Sequence, residues 1–193
     1  SDLTSLFEQL EFKTLKDRLK VISSEKSPVK SFKSEKSAEP EFSLFGSDIE
    51  SAVLTPGELD KKIAEHKGQI SIAYELLEDK VHRYAVALSK GTAYLVHSAE
   101  MGSWASDSKV AKIAHDGKAV AREGVLTGVV FDTSLAAYLV NPGVRAQEVS
   151  DLLERYGDGS QLDQSSPAQL LLTTATSLFG LKDSLEKELA DRG

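Results

Sequence analysis

Val129–Gly143 reads VVFDTSLAAYLVNPG, and Gln147–Gly157 follows as QEVSDLLERYG. Val125–Phe131 reads as a strand that delivers the chain to Asp132. Asp is a strong helix N-cap, so this placement predicts a helix over Leu135–Val140 directly behind the strand. Asn141-Pro142-Gly143 turns the chain, and Gln147–Tyr156 is a second amphipathic helix. A strand feeding a capped helix, which turns into another helix, describes a sheet with helices packed on it.

The same signals extend in both directions. Upstream, Thr55-Pro56-Gly57-Glu58 carries an N-cap Thr, Pro at the first helical position and Glu three residues after the cap, predicting a helix to about His66–Lys67 that stops near Gly68. Three β-like runs follow at Gln69–Leu77, His82–Leu88 and Thr92–Val96, separated by turn signals. A further run, Val110–His115, precedes a short helical segment reaching Gly124. Downstream, Gly157–Ser165 is a polar loop. Ser166-Pro167-Ala168-Gln169 repeats the cap pattern and opens a helix to about Ala190, with Leu170, Leu171, Leu178, Leu181, Leu185 and Leu189 as its expected buried stripe. Three strands in succession, then strands alternating with helices, imply an α/β domain: a mixed sheet of about five strands with flanking helices.

The N-terminal quarter differs. Leu3–Ile22 has apolar residues mostly at helical spacing. Ser23–Ser47 is rich in Ser, Lys, Glu and Pro, the composition of a flexible tether. The expected organisation is a helical segment over residues 1–22, a linker over 23–50 and a domain over 51–193. The chain opens on Ser1-Asp2-Leu3 without an initiating Met, as a fragment of a longer polypeptide would. Residues 1–40 hold 8 Lys+Arg against 7 Asp+Glu, whereas the remainder holds 15 against 23. Phosphate neutralisation supplies most nucleic-acid affinity, so an acidic domain is a poor DNA-binding module on charge alone. There is no Cys, which removes disulfides and thiolate chemistry. No apolar run approaches the roughly 20 residues that span a bilayer, and a cytoplasmic protein with no membrane partner is expected.

Val129–Tyr156 resembles the second half of the proofreading exonuclease domain of bacterial DNA polymerase I. In that family a strand ends in Phe-Asp-Thr, a helix of the form LAAYLL follows, and a helix ending in Arg-Tyr comes after an Asn/Asp-Pro-Gly turn. LFEQLEFKTLKDRL (Leu6–Leu19) resembles the family's joint between its 5′-nuclease region and the large fragment. The resemblance implies a ribonuclease H-like, DnaQ-type exonuclease fold. It also implies where catalytic carboxylates should stand.

An exonuclease of this type holds two divalent metals roughly 3.5–4 Å apart, and hard cations need clustered carboxylate oxygens. The family's first pair is Asp-x-Glu on the first strand, where a spacing of two puts both side chains on one face. Here that strand reads Ser71-Ile72-Ala73-Tyr74-Glu75: the Asp position falls on Ala73, and Glu75 alone keeps its carboxylate. Asp48-Ile49-Glu50 has the same pattern but is read as part of the linker. The second motif, of the form His-Asn-x-Lys-Tyr-Asp, matches His115-Asp116-Gly117-Lys118-Ala119-Val120, so the ligand position is Val120. Asp116 is read as a helix N-cap. The third motif, Tyr-x-x-x-Asp, falls on Leu170 and Thr174. The resemblance therefore implies no catalytic residue, no cofactor and no metal site beyond residual binding at Glu75, because one glutamate cannot offset the repulsion of two adjacent dications.

Other chemistry has little support. His66, His82, His97 and His115 fall in different elements without zinc spacing. There is no glycine-rich phosphate loop and no Gly-x-Ser-x-Gly. Ser98–Lys109 is too short for the helix the family places before its fourth strand. Trp104 in that stretch is either an exposed contact residue or a plug where the helix is lost, and the area of the indole favours the plug. The reading that follows is an inactive exonuclease-like domain acting as a spacer. Its partners are the intramolecular 5′-nuclease and polymerase domains, and DNA is reached through the parent enzyme. The alternatives are an active exonuclease with displaced ligands (Glu75, Asp79, Asp116, Asp132) and an acidic protein-interaction module.

Overall fold

The computed structural model describes residues 49–78, 80–121, 126–144, 148–157 and 161–192; the expected N-terminal helix, the tether up to residue 48 and Asp79 lie outside them. The strands are β1 (Glu50–Val53), β2 (Ile70–Leu77), β3 (Lys80–Ser89), β4 (Thr92–Val96), β5 (Lys112–Ala114) and β6 (Val129–Asp132). The helices are α1 (Pro56–Glu65), α2 (Ser103–Ser106), α3 (Gly117–Ala121), α4 (Thr133–Val140), α5 (Val149–Tyr156) and α6 (Pro167–Arg192). The strands form one mixed sheet in the order β1-β4-β3-β2-β5-β6. β2–β3 and β3–β4 are antiparallel, while β1–β4, β2–β5 and β5–β6 are parallel.

Local chemistry places the elements where the sequence signals predict. Thr55 caps α1 through a full capping box: Thr55 Oγ1 accepts from the Glu58 amide and Glu58 Oε2 accepts from the Thr55 amide at 2.8 Å. Those bonds hold the exposed Glu58 carboxyl below its ordinary value. Ser166 Oγ accepts from the Gln169 amide at the start of α6. The stretch around residue 50 differs from the expected linker and five-strand sheet. Ile49 packs against the core, and Glu50–Val53 is a sixth, parallel edge strand beside β4. A four-residue strand is too short to show periodicity in sequence.

The two faces of the sheet bury different chemistry. One face sets Ile70, Ile72, Tyr84, Val86 and Val96 against Leu59 and Ile63 of α1. The opposite face is a carpet of alanines, Ala73, Ala85, Ala87 and Ala93, on which Leu171, Leu172 and Ala175 of α6 lie. Small side chains let the helix approach closely enough for Ser71 Oγ to donate to the Ala175 carbonyl at 2.5 Å. Further along α6, Leu178, Leu181 and Leu185 are fully buried with Ile113, Ala137 and Leu152.

The shortened stretch before β5 holds the four-residue α2 and is tied to α1. Asp60 of α1 accepts from the amides of Ser103 and Trp104, and a side chain at Gly102 would collide with that carboxylate. Trp104 is buried in the core at 6.0 Å from the Tyr84 ring, as the plug reading expects. Burial pushes the Tyr84 phenol up to about 12. Lys112 is fully buried, and its Nζ donates to the carbonyls of Asp107 and Val110, both at 2.8 Å; desolvation lowers its pKa. Gly128, at φ +70°, sits where a Cβ would strike the Val110 carbonyl.

Candidate functional site

The chain runs from β2 outward to β3 and β4 on one side, and reaches β5 and β6 on the other. Ligands in open α/β sheets bind at the carboxyl ends of strands where the order reverses in this way. A cleft of about 600 Å³ occupies that place, between β2, the β5–α3 turn, the α5 N-terminus and the first turns of α6.

The fold brings most of the family-motif positions to this cleft. Ala73, Glu75, Leu170 and Thr174 all line it. Leu170 was also expected in the buried stripe of α6, but it lies 36% exposed at the cleft. Val120 is placed otherwise: it is buried against the α1 side of the core, and Ala119 is the α3 residue lining the cleft. Both are apolar, so neither supplies a ligand.

Glu75 is not a free carboxylate. It stands opposite Arg83 across the β2–β3 pair and accepts the Arg83 Nε–H. That bond holds the Glu75 carboxyl below its usual range and raises the guanidinium. The ladder shifts register immediately after Glu75, and this bulge sets Arg83 against it. A side-chain cation already occupies the one carboxylate kept from the motif.

The remaining acidic groups have other geometry. Asp132 Oδ1 accepts from the amides of Ser134 and Leu135 at the start of α4, as expected of an N-cap, and also from Asp116; Oδ2 accepts from Gly117 at 2.8 Å. Asp116 occupies the left-handed region at φ +51°, which Asp tolerates better than most residues. The Ala119 amide donates to its carbonyl, so Asp116 stands where an N-cap stands, but its side chain makes no capping bond. Tyr74 lies between the two motif positions of β2. Its hydroxyl donates to the carbonyls of His115, at 3.0 Å, and Asp116, at 2.5 Å. Burial, with the nearby Asp116 and Asp132 carboxylates, pushes the phenol up, keeping it a neutral donor. His115 Nδ1 meets Thr133 Oγ1 at 2.9 Å.

These residues do not fit a pair of divalent ions. Ala73 and Leu170 have no oxygen to offer, Thr174 is neutral, and Glu75 is engaged by Arg83. Among the described residues no three His, Asp or Glu side chains are grouped to hold a metal. No described helix is long and apolar enough to cross a membrane. Arg83 and Tyr74 are site residues that the sequence motifs pass over; the signal for Arg83 is hairpin register, which the bulge obscures, and Tyr74 acts through tertiary contacts with the β5–α3 turn.

Fold and cleft together define a ribonuclease H-like, exonuclease-type domain. Residues 72–164 match the family described as DNA polymerase I, ribonuclease H-like domain. DNA polymerase I of Mycobacterium bovis and of Mycobacterium tuberculosis are each 30% identical over 221 residues, covering 96% of this chain but 23% of theirs. The POL domain of Pol1 from M. smegmatis, solved with DNA primer-template and dNTP, is 29% identical with a TM-score of 0.62, covering 73% of this chain and 28% of that one. Brucella melitensis NrnC is 19% identical with a TM-score of 0.54, covering 67% and 78%, and shares the fold. This chain carries the 3′–5′ exonuclease-like domain of the DNA polymerase I family. It spans about a quarter of the length of those polymerases.

Proposed function

We propose that this domain is catalytically inert and serves as a structural spacer in a cytoplasmic DNA polymerase I, between a 5′-nuclease domain and a template-directed polymerase domain. One observation carries the reading: the cleft gathers the motif positions Ala73, Glu75, Leu170 and Thr174, yet its one motif carboxylate is paired with Arg83. Two-metal phosphoryl chemistry requires anionic oxygens on both ions, and Ala73, Leu170 and Thr174 supply none. Contact with DNA belongs to the parent enzyme on this reading, because the described domain is acidic and phosphate binding favours basic surfaces.

The test is direct. The chain is incubated with 5′-labelled single-stranded DNA and Mg²⁺ or Mn²⁺, and release of mononucleotides is followed. No release above a protein-free control is expected. Release that Glu75→Ala abolishes would overturn the proposal and restore the displaced-ligand exonuclease.

A further inference from the structure

α4 is apolar on two faces and only one is covered. Ala136, Ala137 and Val140 are buried in the cluster that includes α6. Leu135, Tyr138 and Leu139 are 60%, 49% and 58% exposed. Their spacing of three and four puts them on one face of the helix. Val130, in the edge strand feeding α4, is 55% exposed. α4 contains no charged residue, and a helix apolar all round is normally buried all round. Large exposed apolar side chains gathered in one place mark an interaction surface.

We propose that this outer face of α4 docks the polymerase domain of the same polypeptide. The proposal rests on the DNA polymerase I reading above and names the surface through which the spacer meets its neighbour. Two observations select that occupant over a separate molecule. First, Arg192, in the last turn of α6, donates from Nη1 to the Val140 carbonyl at the end of α4, 2.8 Å away. A polymerase domain joined after α6, as the proposed function places it, is thus tethered at the end of the helix that carries the exposed face. Second, the area is small. Three side chains exposed by about half offer on the order of 300 Å², whereas stable association of separate proteins takes about 800 Å² from each. A tether raises the effective concentration to the millimolar range, so a patch of this size suffices within one chain.

Hydroxyl-radical footprinting of Tyr138 tests the proposal, comparing the 193-residue chain with the parent polypeptide that continues into its polymerase domain. Tyr138 is expected to be oxidised several-fold more slowly in the longer protein. The double variant Leu135→Ser/Leu139→Ser should restore labelling there while lowering the unfolding temperature of the 193-residue chain by only a few degrees, since both side chains are more than half exposed and the loss is mainly helix propensity. Leu139→Gln alone should restore part of it. Equal labelling in the two proteins overturns the docking. Protection of Tyr138 in the 193-residue chain, accompanied by a dimer mass in sedimentation, also overturns it and assigns the face to a second copy. The functional reading fails by other signs: nucleotide release by the cleft, or a downstream region that is not a polymerase.

Discussion

Asp132 and Glu75 are both carboxylates near the carboxyl ends of their strands, β6 and β2, which flank β5 in the sheet, and the fold uses them in opposite ways. Asp132 accepts from four backbone amides, two in the β5–α3 turn and two at the start of α4. Glu75 faces the cleft, 42% exposed, and is satisfied by one side chain, Arg83. A carboxylate that organises backbone is needed whatever chemistry the domain performs. A carboxylate aimed at a cleft is needed only while something binds there, and on the inert reading proposed above a neighbouring guanidinium neutralises it at little cost to stability. The difference separates the part of an exonuclease-type fold that is architecture from the part that is chemistry.

The contrast can be broken hardest at Asp132. Asp132→Ala removes the α4 cap and leaves the Asp116 and Gly117 amides without their acceptor. Caps are worth about 1–2 kcal/mol and orphaned donors cost more, so a loss of about 3 kcal/mol is expected in urea unfolding. Asp132→Asn keeps an acceptor oxygen and should cost about 1 kcal/mol. If alanine costs no more than asparagine, water has replaced the carboxylate and the architectural role fails.

Rebuilding the chemistry gives the next largest effect. The triple variant Ala73→Asp/Thr174→Asp/Arg83→Gln puts three carboxylates into one cleft without a cation. Their repulsion should lower stability by about 2 kcal/mol without metal. Mn²⁺ should recover most of that loss, because a ligand binding only the folded state stabilises it by mass action. The unaltered chain should show no Mn²⁺-dependent rise in unfolding temperature. A rise there would show that the present residues hold a metal after all.

The sequence was most legible where a local rule decides the structure. Thr55, Asp132 and Ser166 cap the helices that their sequence patterns predict, and the three β-like runs are β2, β3 and β4. The motif positions were legible through resemblance, and Ala73, Glu75, Leu170 and Thr174 do meet in one cleft. What was missed depends on tertiary geometry. β1 is four residues long and gains its pairing only from β4. α3 is a five-residue helix, so a shift of one position exchanges Val120 for Ala119 at the cleft. The Glu75–Arg83 pair is the most instructive omission. Leu77 pairs with Lys80 and Leu76 with Val81, so an unbroken hairpin would set Glu75 against His82. The bulge advances the ladder by one residue and brings Arg83 there instead. No composition or periodicity rule anticipates that step.

The smallest effect probes the pair itself. The Glu75 carboxyl is held below its ordinary value of 4.5, first by the Arg83 hydrogen bond. A depressed folded-state pKa contributes stability above the unfolded value, and that contribution is lost as the pH falls through the folded value. The loss therefore belongs to the window below about pH 4.5 and is absent at neutral pH. Because Glu75 is 42% exposed, solvent screens the pair, and Glu75→Gln should cost about 0.5 kcal/mol or less at pH 7, with the difference from the unaltered chain vanishing in acid. Urea midpoints of both proteins at pH 7 and in the acid window measure this. A cost above about 1 kcal/mol would place Glu75 beside Asp132 as a structural carboxylate, and its survival in the cleft would then be explained by Arg83 rather than by any former metal.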